Sequence, residues 1–125
     1  MNIYVTHSRE YDFENCLYRP IRESSLNSRH KIILPHEDTQ EPFDSKSFLE
    51  RECNLVVAEV SFPSTGQGIE LGWANNYDVP IICFYQKGAK VYDSLSVVSS
   101  DMVEYSGCNE LVLKLQEAIE SMKEN

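Results

Sequence analysis

Two nearly continuous apolar runs, LVVAEV at 55–60 and VPIICFY at 79–85, constrain this chain more than any other feature. A strand covered on one face alternates apolar and polar residues. A strand covered on both reads as a continuous run, and that pattern belongs to parallel sheets flanked by helices. Shorter runs of the same kind stand at Ile3 to Thr6, at KIILP from Lys31, and at Met102 to Tyr105. Helical spacings lie between them. Phe13, Cys16, Leu17 and Ile21 form the first, and Pro20 predicts either a kink there or a helix beginning near Tyr18 with the proline in its first turn. A short helix is expected near Ser45 to Glu52 with Asp44 or Ser45 as N-cap, another from Ile69 to about Asn76, and a last one with Leu111, Leu115, Ala118, Ile119 and Met122 on one face.

Five strands alternating with helices predict an α/β fold, an open parallel sheet with helices on both faces. The commoner doubly wound order for five strands is 2-1-3-4-5, a flavodoxin-like three-layer sandwich whose ligand crevice opens between strands 1 and 3. That order brings the loop after strand 1, THSREYD, beside the segment after strand 3, SFPSTGQG. The length of 125 residues predicts one domain spanning 1–125.

Composition narrows the partners. With 20 acidic and 11 basic side chains and no basic cluster, neither a nucleic acid nor an anionic membrane is an expected partner. No stretch approaches the ~20 apolar residues that span a bilayer, and MNIYVTHSRE reads as a strand rather than a signal peptide. Cys16, Cys53, Cys83 and Cys108 are scattered, which fits reduced core cysteines in the cytoplasm better than a disulfide framework or a zinc site. His7, His30 and His36 make no metal-ligand spacing either, so no metal is expected.

The stretch NLVVAEVSFPSTGQGIELGWA, 54–74, carries the chemistry. Its glycines do not make a dinucleotide turn, because Gly66, Gly68 and Gly72 give G-x-G-x-x-x-G after the third strand, whereas that fingerprint needs G-x-G-x-x-G after the first. A glycine loop opening a helix still lets backbone N–H groups approach an anion. Ser64 and Thr65 add hydroxyls, so Ser64, Thr65, Gly66 and Gly68 form a candidate cradle for a phosphate or a sugar oxygen. Of the two carboxylates, Glu59 falls inside the strand and reads as a hydrogen-bonded structural acid. Glu70 falls in the expected first helical turn at the carboxyl edge of the sheet, where an acid can simply offset the helix dipole, worth about 0.3–1 kcal/mol. It can also act as a carboxylate nucleophile, the usual agent of glycosyl transfer.

AEVSFPSTGQGIELGWA resembles the signature of the nucleoside 2-deoxyribosyltransferase-like superfamily, above all its 2'-deoxynucleoside 5'-phosphate N-hydrolase branch. The resemblance runs from IYVTHS through Leu17 and Tyr18 to about Ser94, and its specific part is 54–74. It implies an N-glycosidase without a cofactor, acting on a small nucleotide or nucleoside. Glu70 falls on the family's nucleophile, and Ser64 on the serine that helps hold a 5'-phosphate where the transferases on free nucleosides have an aspartate. Tyr4 falls on a tyrosine close to nucleophile and sugar. Ser94 falls on a serine given to the phosphate site by the other subunit, which implies a homodimer with shared active sites.

The chain also departs from the family. The aspartate expected eight positions before strand 3 is replaced by Lys46, with Asp44 as the nearest substitute and Glu37 or Asp38 as others. The first loop carries His7, Ser8 and Arg9 in place of the family's glycines, so His7 is a candidate to meet the base, Arg9 a phosphate, and Ser8 joins the substrate-binding set. Three functions are therefore compared: a nucleotide N-glycosidase or deoxyribosyltransferase, a nucleotide-binding module without turnover, and cleavage of a nicotinamide or ADP-ribose-type nucleotide. The last is raised because IYVTHS is also similar to the first strand of Toll/interleukin-receptor-like domains.

Overall fold

Apolar runs that cannot face water on either side must sit inside a sheet, and the computed structural model, which describes residues 1–37, 43–99 and 101–123, places them there. Strands β1 (Asn2–His7), β2 (Lys31–Ile33), β3 (Leu55–Glu59), β4 (Ile81–Gln86) and β5 (Asp101–Tyr105) form one parallel sheet in the order β2-β1-β3-β4-β5. This is the order expected from the sequence. The register pairs Tyr4 with Val56, Thr6 with Ala58 and His7 with Glu59, so β1 and β3 end side by side at the carboxyl edge.

Helices α1 (Arg19–Glu23), α2 (Leu26–Arg29), α3 (Ser45–Arg51), α4 (Thr65–Asn76) and α5 (Cys108–Lys123) cover the sheet. Successive side chains of a strand point to opposite faces, and the core divides accordingly. Ile3, Val5, Leu55, Val57, Ile82 and Phe84 pack with Leu17, Ile21, Leu111, Leu115 and Ile119, the α1 and α5 side. Tyr4, Val56, Ala58, Ile81 and Cys83 pack with Phe48, Leu49, Leu71 and Ala74, the α3 and α4 side. Burying a side chain such as Leu115 or Leu71 contributes roughly 1.5–3 kcal/mol, so both layers hold the sheet.

Four local readings are refined or corrected. At Pro20 a single π-type turn, Glu14–Tyr18, hands over to α1, and the proline sits in the first turn of that helix, where its missing N–H goes unneeded. Helix α2 was not expected. Helix α4 begins at Thr65 rather than Ile69, so the supposed glycine loop is itself the helix start: Ser64 is its N-cap and accepts a hydrogen bond from the Gln67 N–H at 3.3 Å. Capping and packing outweigh the poor helix propensity of Gly66 and Gly68. Lastly, Cys16 and Cys108 are joined in a disulfide with Cα atoms 4.6 Å apart, against the expectation of four reduced cysteines. The fold sets the π-type turn against the start of α5, and a separation of 92 residues carries no local signal of that. Cys53 and Cys83 are free. Among the described residues, no helix is long and apolar enough to cross a membrane.

Candidate active site

Helix α4 lies over the carboxyl ends of β1 and β3 because Gln67 ties it there. The Gln67 side chain is buried, and its Nε2 donates to the main-chain carbonyls of Thr6 at 3.2 Å and Glu59 at 2.8 Å. Glu70 then reaches down from the second helical turn onto β1. Tyr4 Oη donates to Glu70 Oε2 at 2.5 Å and Thr6 Oγ1 donates to Oε1 at 2.8 Å. Both donors are buried strand residues, while Glu70 itself is half-buried, so the carboxylate is held from below and open above. Hydrogen bonds to an ionised acceptor are roughly twice as strong as neutral ones. Burial, the Glu70 charge and the bond to Glu70 together push the Tyr4 phenol well above its ordinary range, so Tyr4 stays a donor. Phe43 stacks on the Tyr4 ring with centroids 5.9 Å apart.

A cavity of about 380 Å³ lies on the neighbouring flank of α4. Its walls include Phe62, Ser64, Thr65, Gly68, Tyr92 and Ser94. Ser64 and Ser94 thus share one cavity within one chain, with Ser94 in the 3₁₀ turn Asp93–Val97. Glu70 is not among the cavity's walls. The six residues from Ser64 to Glu70 span about 9 Å along the helix axis, a distance a sugar phosphate can bridge. Gly66 and Gly68 have no neighbour within 4 Å of a would-be Cβ and neither has a positive φ, so the glycines keep the helix start uncovered rather than permit a special turn.

Other expected residues have different roles. His7 points to the α1 face and is buried. Its Nδ1 faces the Ser8 carbonyl at 2.9 Å and its Nε2 the Tyr18 hydroxyl at 2.7 Å, and its ring stacks on Phe13 at 4.4 Å. A carbonyl only accepts, so Nδ1 carries the proton and Nε2 accepts from Tyr18, whose oxygen in turn accepts the His36 N–H at 3.0 Å. Burial holds His7 down at about 4, hence neutral, and both nitrogens are occupied. The expectation that His7 meets the base is thereby corrected. Ser8 is likewise buried, its Oγ accepting the Glu10 N–H at 3.1 Å.

Asp44 caps α3, accepting the Ser47 N–H at 3.1 Å, and the hydrogen bonds from Ser47 hold its exposed carboxyl below the ordinary range. Glu37 forms a two-point pair with Arg22, Nε and Nη2 each at 2.9 Å, which holds its carboxyl low as well. Neither is poised to give up a proton near neutrality. Asp38 lies outside the described residues, and Lys46 is exposed on α3. His36 carried no expected role. It lines a second cavity of about 310 Å³ with Tyr18 and Arg22. Burial and Arg9 hold its imidazole below 6.5, with Glu70 opposing.

Glu59 is buried on the opposite face. It accepts from Ser61 N at 2.7 Å, from Ser61 Oγ at 2.8 Å and from Tyr105 Oη, and Tyr105 in turn bonds Tyr11 at 2.7 Å. Burial raises its carboxyl and these bonds pull it down. It is the structural acid expected from the sequence.

The fold and the clamp define a flavodoxin-like domain that presents one hydroxyl-held glutamate at the edge of its sheet. No family model matches the chain. A protein of Syntrophotalea carbinolica named "Putative 2'-deoxynucleoside 5'-phosphate N-hydrolase 1" is 35% identical over 77 aligned positions, covering 52% of this chain and 54% of its own length. The chain thus spans about half of the curated relative it matches. The structure of the CMP N-glycosidase BcmB of Clostridium botulinum superposes with a TM-score of 0.64 at 21% identity, over 93% of this chain and 99% of that one, and shares the fold. Both likenesses agree with the resemblance to the nucleoside 2-deoxyribosyltransferase-like superfamily carried by residues 54–74.

Proposed function

We propose that the chain is an N-glycosidase cleaving the base–sugar bond of a nucleoside 5'-monophosphate. The observation that carries this reading is the Glu70 carboxylate gripped by Tyr4 and Thr6 in the second turn of a helix whose Ser64 cap faces a cavity. Glu70 attacks the anomeric carbon, the glycosidic electron pair leaves with the base, and the base takes up a proton from solvent water. Water then displaces Glu70 from the glycosyl ester. Ser64, Thr65 and the N–H groups of the helix start hold the phosphate, with Ser94 opposite. The proton of that water passes to a base, for which His36, its imidazole held below the ordinary range by burial and Arg9, is a candidate. The 2'-deoxynucleoside 5'-phosphate and CMP in the names of the similar proteins support a monophosphate substrate. A homodimer and a cytoplasmic location belong to the same proposal, the first checked by sedimentation and the second by fractionation.

Release of free base from the common ribo- and deoxyribonucleoside monophosphates tests the reading, with Glu70→Ala as control. Equal turnover by that variant refutes the nucleophile. A second reading, nucleotide binding without turnover, is favoured by one observation: Asp44 and Glu37, the described substitutes for the family aspartate, are both held ionised. Thermal stabilisation by nucleotides with no base released would select it. Transfer rather than hydrolysis would show as base exchange between free nucleosides.

A further inference from the structure

We propose that Thr6, latched by Gln67, is the positioning residue that readies Glu70 to leave in the second half of the reaction, an inference that rests on the glycosidase reading above. Tyr4 and Thr6 are alternate residues of one strand, so they share a face about 7 Å apart along it, and each takes one oxygen of the same carboxylate. Tyr4 alone would leave the carboxylate free to turn about its last bond. Thr6 fixes the plane. Its strand is paired on both edges, with β2 and β3, and its carbonyl is held by Gln67, three residues before Glu70 on α4. The same amide holds the end of β3. Helix and strands therefore move together, and the Thr6 to Glu70 contact survives rocking of the helix.

The chemistry gives this second donor a direction. In the glycosyl ester, the Glu70 oxygens have lost their negative charge and attract donors less. When water attacks the anomeric carbon, the carbon–oxygen bond to Glu70 breaks, its electron pair returns to the carboxylate, and the water proton goes to a base. Charge reappears where Thr6 already points, and a preplaced donor acts most where charge develops. During the first step the same bond is weakened rather than strengthened. Thr6 therefore favours breakdown of the ester over its formation.

Thr6→Val keeps the shape and the β-branching and removes only the hydroxyl, so β1 should fold as before. Steady-state and rapid-mixing assays with dCMP, CMP and the other common monophosphates compare it with wild type and Thr6→Ser. The expected kcat falls about tenfold to a hundredfold, the worth of one charge-assisted hydrogen bond. Apparent KM falls with it because the ester accumulates, and a burst of base equal to the enzyme precedes the slow phase. Mass spectrometry of the quenched reaction should find the glycosyl group on Glu70. Thr6→Ser should restore turnover. Gln67→Met should show the same signature more weakly.

A Thr6→Val enzyme with wild-type kcat, or one with lower kcat, unchanged or higher KM and no burst, overturns the inference and leaves the glycosidase intact. Absence of base release by the wild-type protein overturns both.

Discussion

Acid should destabilise this protein through His7. His7 is buried between Phe13 and Tyr18, both nitrogens bonded, with His36 and Arg9 close enough to disfavour a charge. An unfolded chain takes up its histidine proton near 6.5, whereas the folded one holds out until about 4. The folded pKa is depressed, so the unfolded state binds more protons between these values. Stability is complete above pH 6.5 and drains as the pH falls towards 4. The full difference corresponds to about 3 kcal/mol, of which about 2 is gone by pH 5, a large share of a typical margin of 5–15. His7→Gln removes the titration while its side-chain oxygen can still accept from Tyr18. It will be less stable at every pH for want of the ring stack, so the slopes are the comparison. Urea melts from pH 7.5 to 4.5 should show wild type losing about 2.5 kcal/mol more than His7→Gln. Parallel curves would refute the buried neutral imidazole, and with it the argument that His7 is closed to substrate.

Ser64 both caps α4 and faces the cavity, so Ser64→Ala should cost about 1 kcal/mol of stability and raise KM for monophosphates while sparing free nucleosides. An equal loss on both substrates would count against the phosphate role. Gly68→Ala places a methyl on the cavity wall where no protein atom stands within 4 Å. It should stabilise the helix by roughly 0.5–1 kcal/mol yet weaken nucleotide binding, and unchanged KM would show that ligand does not approach there. Tyr105→Phe removes a donor to buried Glu59 and should cost about 1–3 kcal/mol in denaturant melts with kcat unaffected. A kcat loss at full stability would give Glu59 a part in catalysis.

The sheet was legible because its cause is local: runs buried on both faces appear as such, and the order follows from a rule about doubly wound topology. The disulfide was not, because two cysteines 92 positions apart meet only through packing between the π-type turn and α5. Helix α2 and the π-type turn are short segments whose hydrogen bonds are decided by the chain around them. The candidate nucleophile was legible from its motif, whereas the first-strand loop misled. Polar residues of a loop are natural suspects, yet His7 and Ser8 are turned inward and hydrogen-bonded there.

The alternation of side chains along β1 decides which residues meet Glu70. Along β1, even positions face α3 and α4 and odd positions face α1 and α5, so Tyr4 and Thr6 stand together and His7 does not. The register sets His7 beside Glu59, and both point away from Glu70, which is why two acids eleven positions apart serve different layers. Period two, applied to IYVTH, would have named Thr6 as the companion of Tyr4 and excluded His7. What hid this was the start of α4. Begun at Ile69, the helix leaves Glu70 at its mouth, beyond the strand ends. Begun at Thr65 behind the Ser64 cap, it carries Glu70 into the second turn and over β1, where two strand hydroxyls can reach it.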